Sequence, residues 1–160
     1  GGYSTEPFKV DDITAQVEMQ MINGKDLLVL RRWNGTDSLP EVRLGEPPWN
    51  SCGVVVCGDR RNVLGVWQVP EKKDPFLYHL NIFSTATGEK TAEVNATSWP
   101  STAQLCGNYL VGYFPNRVFA INITTGKEVW SQLIKDLMYH GPYPPSAAPG
   151  RPITKPEETE

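Results

Sequence analysis

The sequence predicts an all-β fold of antiparallel four-stranded units that follow one another along the chain. Short runs in which apolar and polar residues alternate with a period of two indicate strands. The 14 glycines and 14 prolines supply turns between these runs and argue against a helix bundle. Similar groups of strands and turns recur at a spacing of roughly 40 residues, which predicts repeated sheets.

The composition bounds the class of protein. A chain of 160 residues with 39% hydrophobic residues and five tryptophans is large enough for a folded domain with a core. A net charge of −3 leaves no basic surface for DNA or RNA, so we expect no nucleic-acid partner. No apolar run approaches the ~18 residues that a membrane span requires, so we expect no span.

The cellular compartment is not determined by the sequence. Three N-glycosylation sequons favour a secretory protein, and the candidate sites are Asn34 and Asn95, because the third, Asn122, falls within a predicted strand. No signal peptide is visible, although Gly1-Gly2 fits a processed start.

The cysteines predict neither a zinc site nor a simple disulfide framework. Their number is odd and none forms a C-x-x-C pair: they are Cys52, Cys57 and Cys106. We expect buried neutral thiols. Together with the missing signal peptide, the odd cysteine count favours an intracellular protein.

The first repeat is predicted over 13–48, after a polar lead-in at 1–12 in which Pro7 prevents regular structure. An alternating run at 15–21 and an apolar run at 27–30 flank Asn23-Gly24, the strongest short hairpin signal. A short third strand is expected near Val42 and Leu44, and the segment closes at Pro47-Pro48.

The second and third repeats are predicted over 53–98 and 102–131. Strands of the second repeat are expected at 53–57, 63–67, 77–83 and 91–94, with a solvent-exposed loop at 70–75. Those of the third are expected at 102–106, 109–114 and 118–121, and from Val129 onward.

Residues 132–160 are predicted to be a Pro-rich tail. Its start, 133–138, either continues a strand or makes one helical turn that packs on the last repeat. The six prolines after residue 140 predict disorder over 141–160.

Two landmarks relate the repeats. Thr87-Gly88 matches Thr125-Gly126 at a distance of 38 residues. Cys57-Gly58-Asp59 matches Cys106-Gly107-Asn108 at a distance of 49, and Asn23-Gly24-Lys25 is taken as the first copy of this second landmark. Repeats of about this length with up to four strands are typical of propeller blades. The prediction is therefore a partial β-propeller of about three blades.

A family resemblance supports this architecture. The stretch from Ala120 to Trp130 resembles the tryptophan-docking motif of the quinoprotein-like β-propellers, A-x-D-x-x-T-G-K-x-x-W, with Asn122 in place of the aspartate. The resemblance implies that Trp130 docks against a neighbouring blade. The preceding blade retains only Thr87-Gly88 of the motif, and WD40-type propellers share the same four-stranded blade. The resemblance implies a fold and carries over no quinone or calcium site.

A complete propeller ring needs at least four blades, which leaves three alternatives for this chain. It is a fragment of a longer protein, it self-associates through exposed edge strands to close a ring, or it forms an open β domain.

No motif for a catalytic site appears: P-loop, G-x-G-x-x-G, H-E-x-x-H and G-x-S-x-G patterns are absent from the sequence. His79 lies on a predicted strand and His140 has no partner in sequence, so neither predicts catalysis. Turn carboxylates account for Asp11-Asp12 and Asp59 better than a cation site does. Cys57 and Cys106 occupy matching strand ends and predict a shared packing role. We expect no cofactor and no metal.

Aromatic and basic residues give the candidate sites. Structural roles between or within blades are predicted for Trp67, Gly88, Gly126 and Trp130. Trp49 and Trp99 adjoin prolines in loops, where they either contribute to a recognition surface or fold back as a lid. The exposed turn pair Arg60-Arg61 completes the candidate binding set.

Three functions are consistent with this sequence. The first is a non-enzymatic propeller-type module or scaffold whose loops bind another protein. The second is a fragment of a quinoprotein-like or glycan-acting enzyme. The third is a structural subunit that completes its sheet with a partner chain.

Overall fold

The computed structural model describes residues 3–45, 52–73, 76–114 and 116–133, and these residues form three antiparallel sheets. Sheet 1 contains β1 (Tyr3–Ser4), β2 (Phe8–Val10), β3 (Ile13–Ile22), β4 (Lys25–Asn34), β5 (Asp37–Ser38) and β6 (Val42–Gly45). Sheet 2 contains β7 (Cys52–Val56), β8 (Asn62–Lys73), β9 (Phe76–Ser84) and β10 (Lys90–Ala96). Sheet 3 contains β11 (Thr102–Cys106), β12 (Tyr109–Phe114), β13 (Arg117–Asn122) and β14 (Lys127–Leu133). No helix within these ranges is long and apolar enough to cross a membrane.

Sheets 2 and 3 are built to one plan. Their strands pair in chain order, β7-β8-β9-β10 and β11-β12-β13-β14, and every pair is antiparallel. The alternating runs of the sequence explain this, since each strand presents one row of apolar side chains to each side that is covered. The prediction of an all-β fold with antiparallel four-stranded sheets is confirmed, and sheets 2 and 3 have four strands each whereas sheet 1 has six.

The three sheets stack face to face, with sheet 2 in the middle. On β8, Val63 packs in a core cluster with sheet 1, whereas its neighbour Leu64 packs in a cluster with sheet 3. On β9, Phe83 and Ile82 divide in the same way. Because successive residues of a strand point to opposite faces, one sheet contributes to both cores.

One contact fixes how closely sheets 1 and 2 approach. A methyl group on Gly65 would lie 2.5 Å from the carbonyl oxygen of Leu44, a backbone atom of β6. The Nδ2 of buried Asn81 donates to the same carbonyl at 3.3 Å. The strands meet here without an intervening side chain, which explains a glycine in the middle of β8.

Sheet 1 begins earlier than the sequence predicts. The lead-in contains two strands, and β2 pairs with β3 from Phe8 to Val10, so the prediction that Pro7 prevents regular structure is wrong. Pro7 lies between β1 and β2, where it removes no hydrogen bond from the ladder.

Asn23-Gly24 does not occupy the position in its sheet that the match to the Cys57-Gly58-Asp59 landmark predicts. Asn23-Gly24 joins β3 to β4, the middle hairpin of sheet 1, with positive φ angles of 54° and 77°. The landmark turns at Gly58 and Gly107 instead join the first two strands of sheets 2 and 3. In sheet 1 that position belongs to Asp11-Asp12, which links β2 to β3. Asn-Gly is a strong local turn signal, but it does not identify which turn of the sheet it makes.

The 70–75 loop is shorter than predicted. Strand β8 continues through Lys73, and Lys73 pairs with Phe76 at the start of β9 after a register shift that follows Gln68. The two strands therefore extend as a hairpin into the predicted loop. The predicted disorder of residues 141–160 lies outside the described residues.

Matching cysteines have unlike surroundings. Cys57 is 1% exposed in the core between sheets 2 and 3, whereas Cys106 at the matching strand end is exposed. The predicted shared packing role is therefore wrong. Cys57 faces a neighbouring sheet, while Cys106 lies on the face of sheet 3 that no described sheet covers.

The two tryptophans with predicted structural roles differ in exposure. Trp67 is half-buried and packs against His79, with ring centroids 4.6 Å apart and the ring planes inclined at 47°. Trp130 is 48% exposed, so the expected docking against a neighbouring blade does not occur within the described chain.

Candidate partner-binding face

One end of the stacked sheets is formed by turns from all three. In an antiparallel sheet with strands in chain order, the first and third links lie at the same end. We call this end the loop face; it comprises residues 11–12, 35–36, 57–61, 84–88, 107–108 and 122–126.

The Thr-Gly turns of sheets 2 and 3 have one geometry. Asn122 Oδ1 accepts from the backbone N–H groups of Thr124 (2.9 Å) and Thr125 (3.2 Å), and Gly126 N–H donates to the Asn122 carbonyl at 2.8 Å. Gly126 has φ 74°, a conformation that glycine adopts without strain. The asparagine thus provides the acceptor that the motif's aspartate would provide.

The turn in sheet 2 repeats this pattern with a serine. Thr87 N–H donates to Ser84 Oγ at 3.2 Å, and Gly88 N–H donates to the Ser84 carbonyl at 2.8 Å. A hydroxyl replaces the amide, as in the weaker serine version of the same turn. The repeated Thr-Gly landmark therefore corresponds to a repeated backbone structure.

An ion pair joins sheets 1 and 2 across the loop face. Nη1 and Nη2 of Arg61 donate to the two oxygens of the Asp11 carboxylate, at 3.2 and 3.1 Å. The hydrogen bonds from Arg61 lower the pKa of Asp11, and the same bonds raise the pKa of Arg61. Both side chains are exposed, so the pair orients the loops more than it stabilises the fold.

A second contact joins sheets 2 and 3. Gln104 Nε2 donates to the Asp59 carboxylate at 2.8 Å, and Gln104 Oε1 accepts from the Asp59 backbone N–H at 2.9 Å. The pKa of Asp59 is lowered, chiefly because the backbone N–H of Arg61 also donates to its carboxylate. The turn at 57–61 is therefore fixed by hydrogen bonds to sheet 3 and by hydrogen bonds within the turn.

A buried arginine connects sheets 1 and 2 beneath the face. Arg32 Nη1 donates to the Ala86 carbonyl at 2.9 Å, while its Nε has no partner in the part of the chain that the structure describes. Burial lowers the pKa of Arg32. Gly88 lies against the guanidinium, and a methyl group there would be 2.8 Å from Arg32 Nη2. This contact places the sheet 2 turn against sheet 1.

Arg60 lies at the centre of the 57–61 turn, and its side chain points from the loop face into solvent. Its backbone has φ 65°, and its N–H donates to the Cys57 carbonyl at 2.8 Å. Asp11 and Asn23, the other described non-glycine residues with positive φ, are types that adopt this region readily, whereas arginine does so at a cost. The Arg60 guanidinium is exposed and makes no hydrogen bond or ion pair with the described residues.

The structure does not bring the predicted binding residues together. Arg60 and Arg61 lie on the loop face. Trp99 lies in the link between β10 and β11, at the opposite end, where it is half-buried edge-on to Tyr78 with centroids 5.7 Å apart. Its ring also covers Gly53. Trp99 therefore folds back on the sheets, which is the second of the two roles that the sequence left open, and it does not project from its loop. Trp49 lies outside the described residues.

The two glycosylation candidates are both exposed. Asn34 ends β4 beside the loop face, and Asn95 lies on the edge strand β10, where its Oδ1 is 2.8 Å from His79 Nδ1. Their modification remains a prediction.

Cys57, His79 and the acidic side chains were the residues with the most chemical potential in the sequence, and the structure gives the surroundings of each. Burial raises the pKa of the Cys57 thiol to about 12, so it stays protonated at neutral pH. His79 lies between Asn95 and Glu93, with its Nε2 3.1 Å from the Glu93 carboxylate, on a strand far from the turns. Among the described residues no three acidic, histidine or cysteine side chains are placed to hold a metal ion.

Sequence reasoning missed the residues that organise this face. Gln104, Asp11 and Arg32 each bridge two sheets, with partners 45, 50 and 54 residues away along the chain. The alignment of the repeats is the one feature of the sequence that could have indicated these contacts, because residues beside matching turns in neighbouring repeats are expected to lie close together.

Comparison with known proteins gives matches in structure only. No family model and no curated protein matches the sequence. Among the solved structures that match, the nidogen/laminin complex aligns with 73% of this chain at 10% identity and a TM-score of 0.42, covering 42% of that chain. HIRA(644-1017) aligns with 80% at 16% identity and a TM-score of 0.45, covering 36% of its own length. The β-propeller domain of Myceliophteria thermophila Cps50 (Swd1) aligns with 81% at 12% identity and a TM-score of 0.42, covering 41% of that domain.

This chain thus spans about two fifths of the length of these structures. Its own structure consists of three antiparallel sheets stacked face to face, and two of them have four strands in chain order, as propeller blades do.

Proposed function

We propose that this chain is a non-enzymatic propeller-type interaction module that binds another protein through its loop face, with Arg60 as the central contact. One observation carries the proposal. An arginine occupies a left-handed backbone position in which glycine would be favoured, and its side chain contacts solvent. Backbone strain of this kind is concentrated where a side chain must be presented in one orientation.

The loop around Arg60 is rigid enough for this role. The turn accepts or donates hydrogen bonds at Gly58, Asp59 and Arg61, and two of these bonds reach other turns or sheets. A partner that binds here therefore does not have to order the loop, so little binding energy is lost. Arginine is also among the residues that contribute most to protein interfaces.

Arg61 has a different role from Arg60 in this proposal. Its guanidinium is already paired with Asp11. A partner carboxylate would have to compete with that pair, so we assign Arg61 to positioning the loop. Trp99 is assigned to packing at the opposite end.

Replacing Arg60 with glycine separates binding from stability. Relief of the left-handed strain is expected to leave the protein equally stable or more stable by about 1 kcal/mol. Loss of the guanidinium is expected to weaken partner binding by a factor of about 10 or more. The measurements are urea unfolding and quantitative affinity capture of the tagged chain from its source cells.

The matched control is Lys9→Ala, which removes an exposed cation from β2 and should leave both measurements unchanged. A set of captured proteins that is the same for Arg60→Gly, Lys9→Ala and the unaltered chain would contradict the proposed loop-face function. Destabilisation by Arg60→Gly would contradict the strain on which it depends.

A further inference from the structure

Most of the exposed large hydrophobic side chains of the described residues belong to sheet 3. Five of the six lie on β12 and β14: Tyr109, Tyr113, Val129, Trp130 and Leu133. By strand register, Tyr109, Tyr113 and Trp130 point away from sheet 2, together with half-buried Val111, Val118 and Ala120. We call the side of sheet 3 that points away from sheet 2 the outer face. Contiguous exposed apolar surface of this kind marks an interaction site.

The outer face repeats a surface that the fold already uses for packing one sheet on another. The strand pairings of sheets 2 and 3 align the two sheets residue by residue. Four outer-face positions then correspond to positions of sheet 2 that are at most 1% exposed in the core shared with sheet 3. The pairs are Val111 and Leu64, Tyr113 and Val66, Val118 and Leu80, and Ala120 and Ile82. We therefore expect the occupant of the outer face to be another sheet.

We propose that the outer face of sheet 3 binds the same face of a second copy of this chain, so that two chains form a dimer with twofold symmetry. The face provides a projecting side chain and a hollow that receives it. Trp130 is the projecting side chain, and it is 48% exposed. The hollow has a volume of about 250 Å³ and is lined by Thr102, Gln104, Val111, Tyr113 and Val118, with Ala103 and Gly112 at its base.

The strand register brings Trp130 and the hollow together across a twofold axis. Gln104, Val111, Ala120 and Trp130 form one row across the four strands. An axis parallel to the strands, between β12 and β13, lays β14 of one copy over β11 of the other. Each Trp130 then lies over the hollow of the second copy, as a self-complementary interface requires. An apolar cavity of about 150 Å³ already admits a benzene ring, so the hollow has room for an indole.

The charges on the outer face agree with this arrangement. Among the described residues, Lys127 is the one charged side chain that the register places there. It lies in one row with Cys106, through Asn122 and Tyr109. The same axis therefore places Lys127 over Cys106 of the second copy and keeps the two lysines apart.

Head-to-tail stacking on sheet 1 of a second copy fits the outer face less well. The surface that sheet 1 offers has Gln16, Glu18, Gln20 and Arg31 on the side away from sheet 2. Arg31 donates to Glu18 at 3.2 Å, and Gln20 donates to Glu18 at 3.3 Å. Covering these polar groups with apolar side chains would cost their hydration.

The area of the outer face is sufficient for a weak dimer. Tyr109, Tyr113 and Trp130 are each about half exposed, which leaves on the order of 300 Å² of aromatic surface for contact. With the side chains between and around them, two copies would bury on the order of 1,200 Å² in total, just above the area that specific interfaces need. We therefore expect dissociation constants on the order of 10–100 μM.

Sedimentation velocity of the full chain at about 1 to 300 μM measures the dimer. Trp130→Lys is expected to raise the dissociation constant at least about tenfold, because it removes the projecting ring and brings a charge to the hollow. Met21→Lys is the matched control, since Met21 is the sixth exposed large hydrophobic side chain and lies on β3. Met21→Lys should leave the dissociation constant unchanged, and so should Arg60→Gly on the loop face.

Cross-linking tests the direction of the axis. Thr102 and Gln132 lie in one row on β11 and β14, so the axis places position 102 of one copy over position 132 of the other, about 10 Å away. Thr102→Cys and Gln132→Cys are prepared as separate chains, each with Cys52→Ser and Cys106→Ser. A short bismaleimide linker should join the mixture of the two chains at least about fivefold more than either chain alone.

Each outcome supports or overturns the proposal. A dimer that Trp130→Lys weakens and Met21→Lys does not, with preferential cross-linking of the mixture, supports it. A chain that stays monomeric over the whole concentration range would overturn it, as would a dimer that Trp130→Lys leaves intact. Oligomers that grow beyond two copies would show head-to-tail packing, and equal cross-linking of mixed and separate chains would exclude the proposed axis.

Discussion

Phe119→Ala is expected to cause the largest loss of stability of any single substitution considered for this chain, about 3–5 kcal/mol. Phe119 is 0% exposed and is the largest fully buried side chain among the residues that the structure describes. Its ring lies under Gly112, where a methyl group would be 2.6 Å away, and it packs in the core shared by sheets 2 and 3. Truncation removes the buried aromatic surface and leaves a cavity between sheets 2 and 3. The cavity does not close, because the backbone hydrogen bonds within each sheet keep its strands in place.

Thermal and urea unfolding measure this effect, with a Tm that falls by on the order of 10 °C for a chain of this size. Tyr113→Ala is the control, since Tyr113 is an exposed aromatic on the opposite face of the same sheet. We expect its cost to be a small fraction of that at Phe119. Equal losses for the two variants would mean that sheet 3 does not pack on sheet 2 through the Phe119 face.

Gly65→Ala is expected to destabilise the protein by about 1–3 kcal/mol even though it adds a single methyl group. The added carbon would lie 2.5 Å from the carbonyl oxygen of Leu44, which is a backbone atom and cannot rotate away. Relief requires β6 to move outward, which also lengthens the hydrogen bond from Asn81 Nδ2 to that carbonyl. Sheets 1 and 2 would separate, so the effect should appear as a lower midpoint in urea.

Gly58→Ala is the matched control for this substitution. A methyl group at Gly58 meets only the Oε1 of Gln104, at 3.1 Å, so a shift of this one side-chain end by a few tenths of an ångström relieves the contact, although it loosens the hydrogen bonds from Gln104 to Asp59. We expect its free energy of unfolding to change much less than that of Gly65→Ala. If the two substitutions proved equally mild, the close approach of Gly65 to Leu44 would not exist in solution.

Local signals were sufficient for the strands and for the repeated turn. Alternation predicts strands at 102–106 and 109–114, and the structure has β11 and β12 at those positions. The 38-residue match of Thr87-Gly88 to Thr125-Gly126 corresponds to one turn geometry made twice. These features depend on residues within a few positions of one another, so a single sequence contains the information.

The register of sheet 1 was not predictable in the same way. Asn23-Gly24 has the composition of the landmark turn, yet it makes the middle hairpin of its sheet. The strand β2 was missed because three residues next to a proline give no periodicity of their own. It exists because β3 is long enough to pair with it, and that is a property of the partner strand.

The amino-acid sequence by itself determined that this chain forms antiparallel sheets in series, because side-chain alternation and turn chemistry act over short distances. The tertiary structure alone decided which equivalent positions are buried. Cys57 has a neighbouring sheet on its side, whereas Cys106, at the matching strand end, belongs to the last described sheet and faces outward. Burial depends on what lies across from a face, and nothing within a repeat specifies that. The same reason explains why the loop face around Arg60 appeared only once three distant turns were placed side by side.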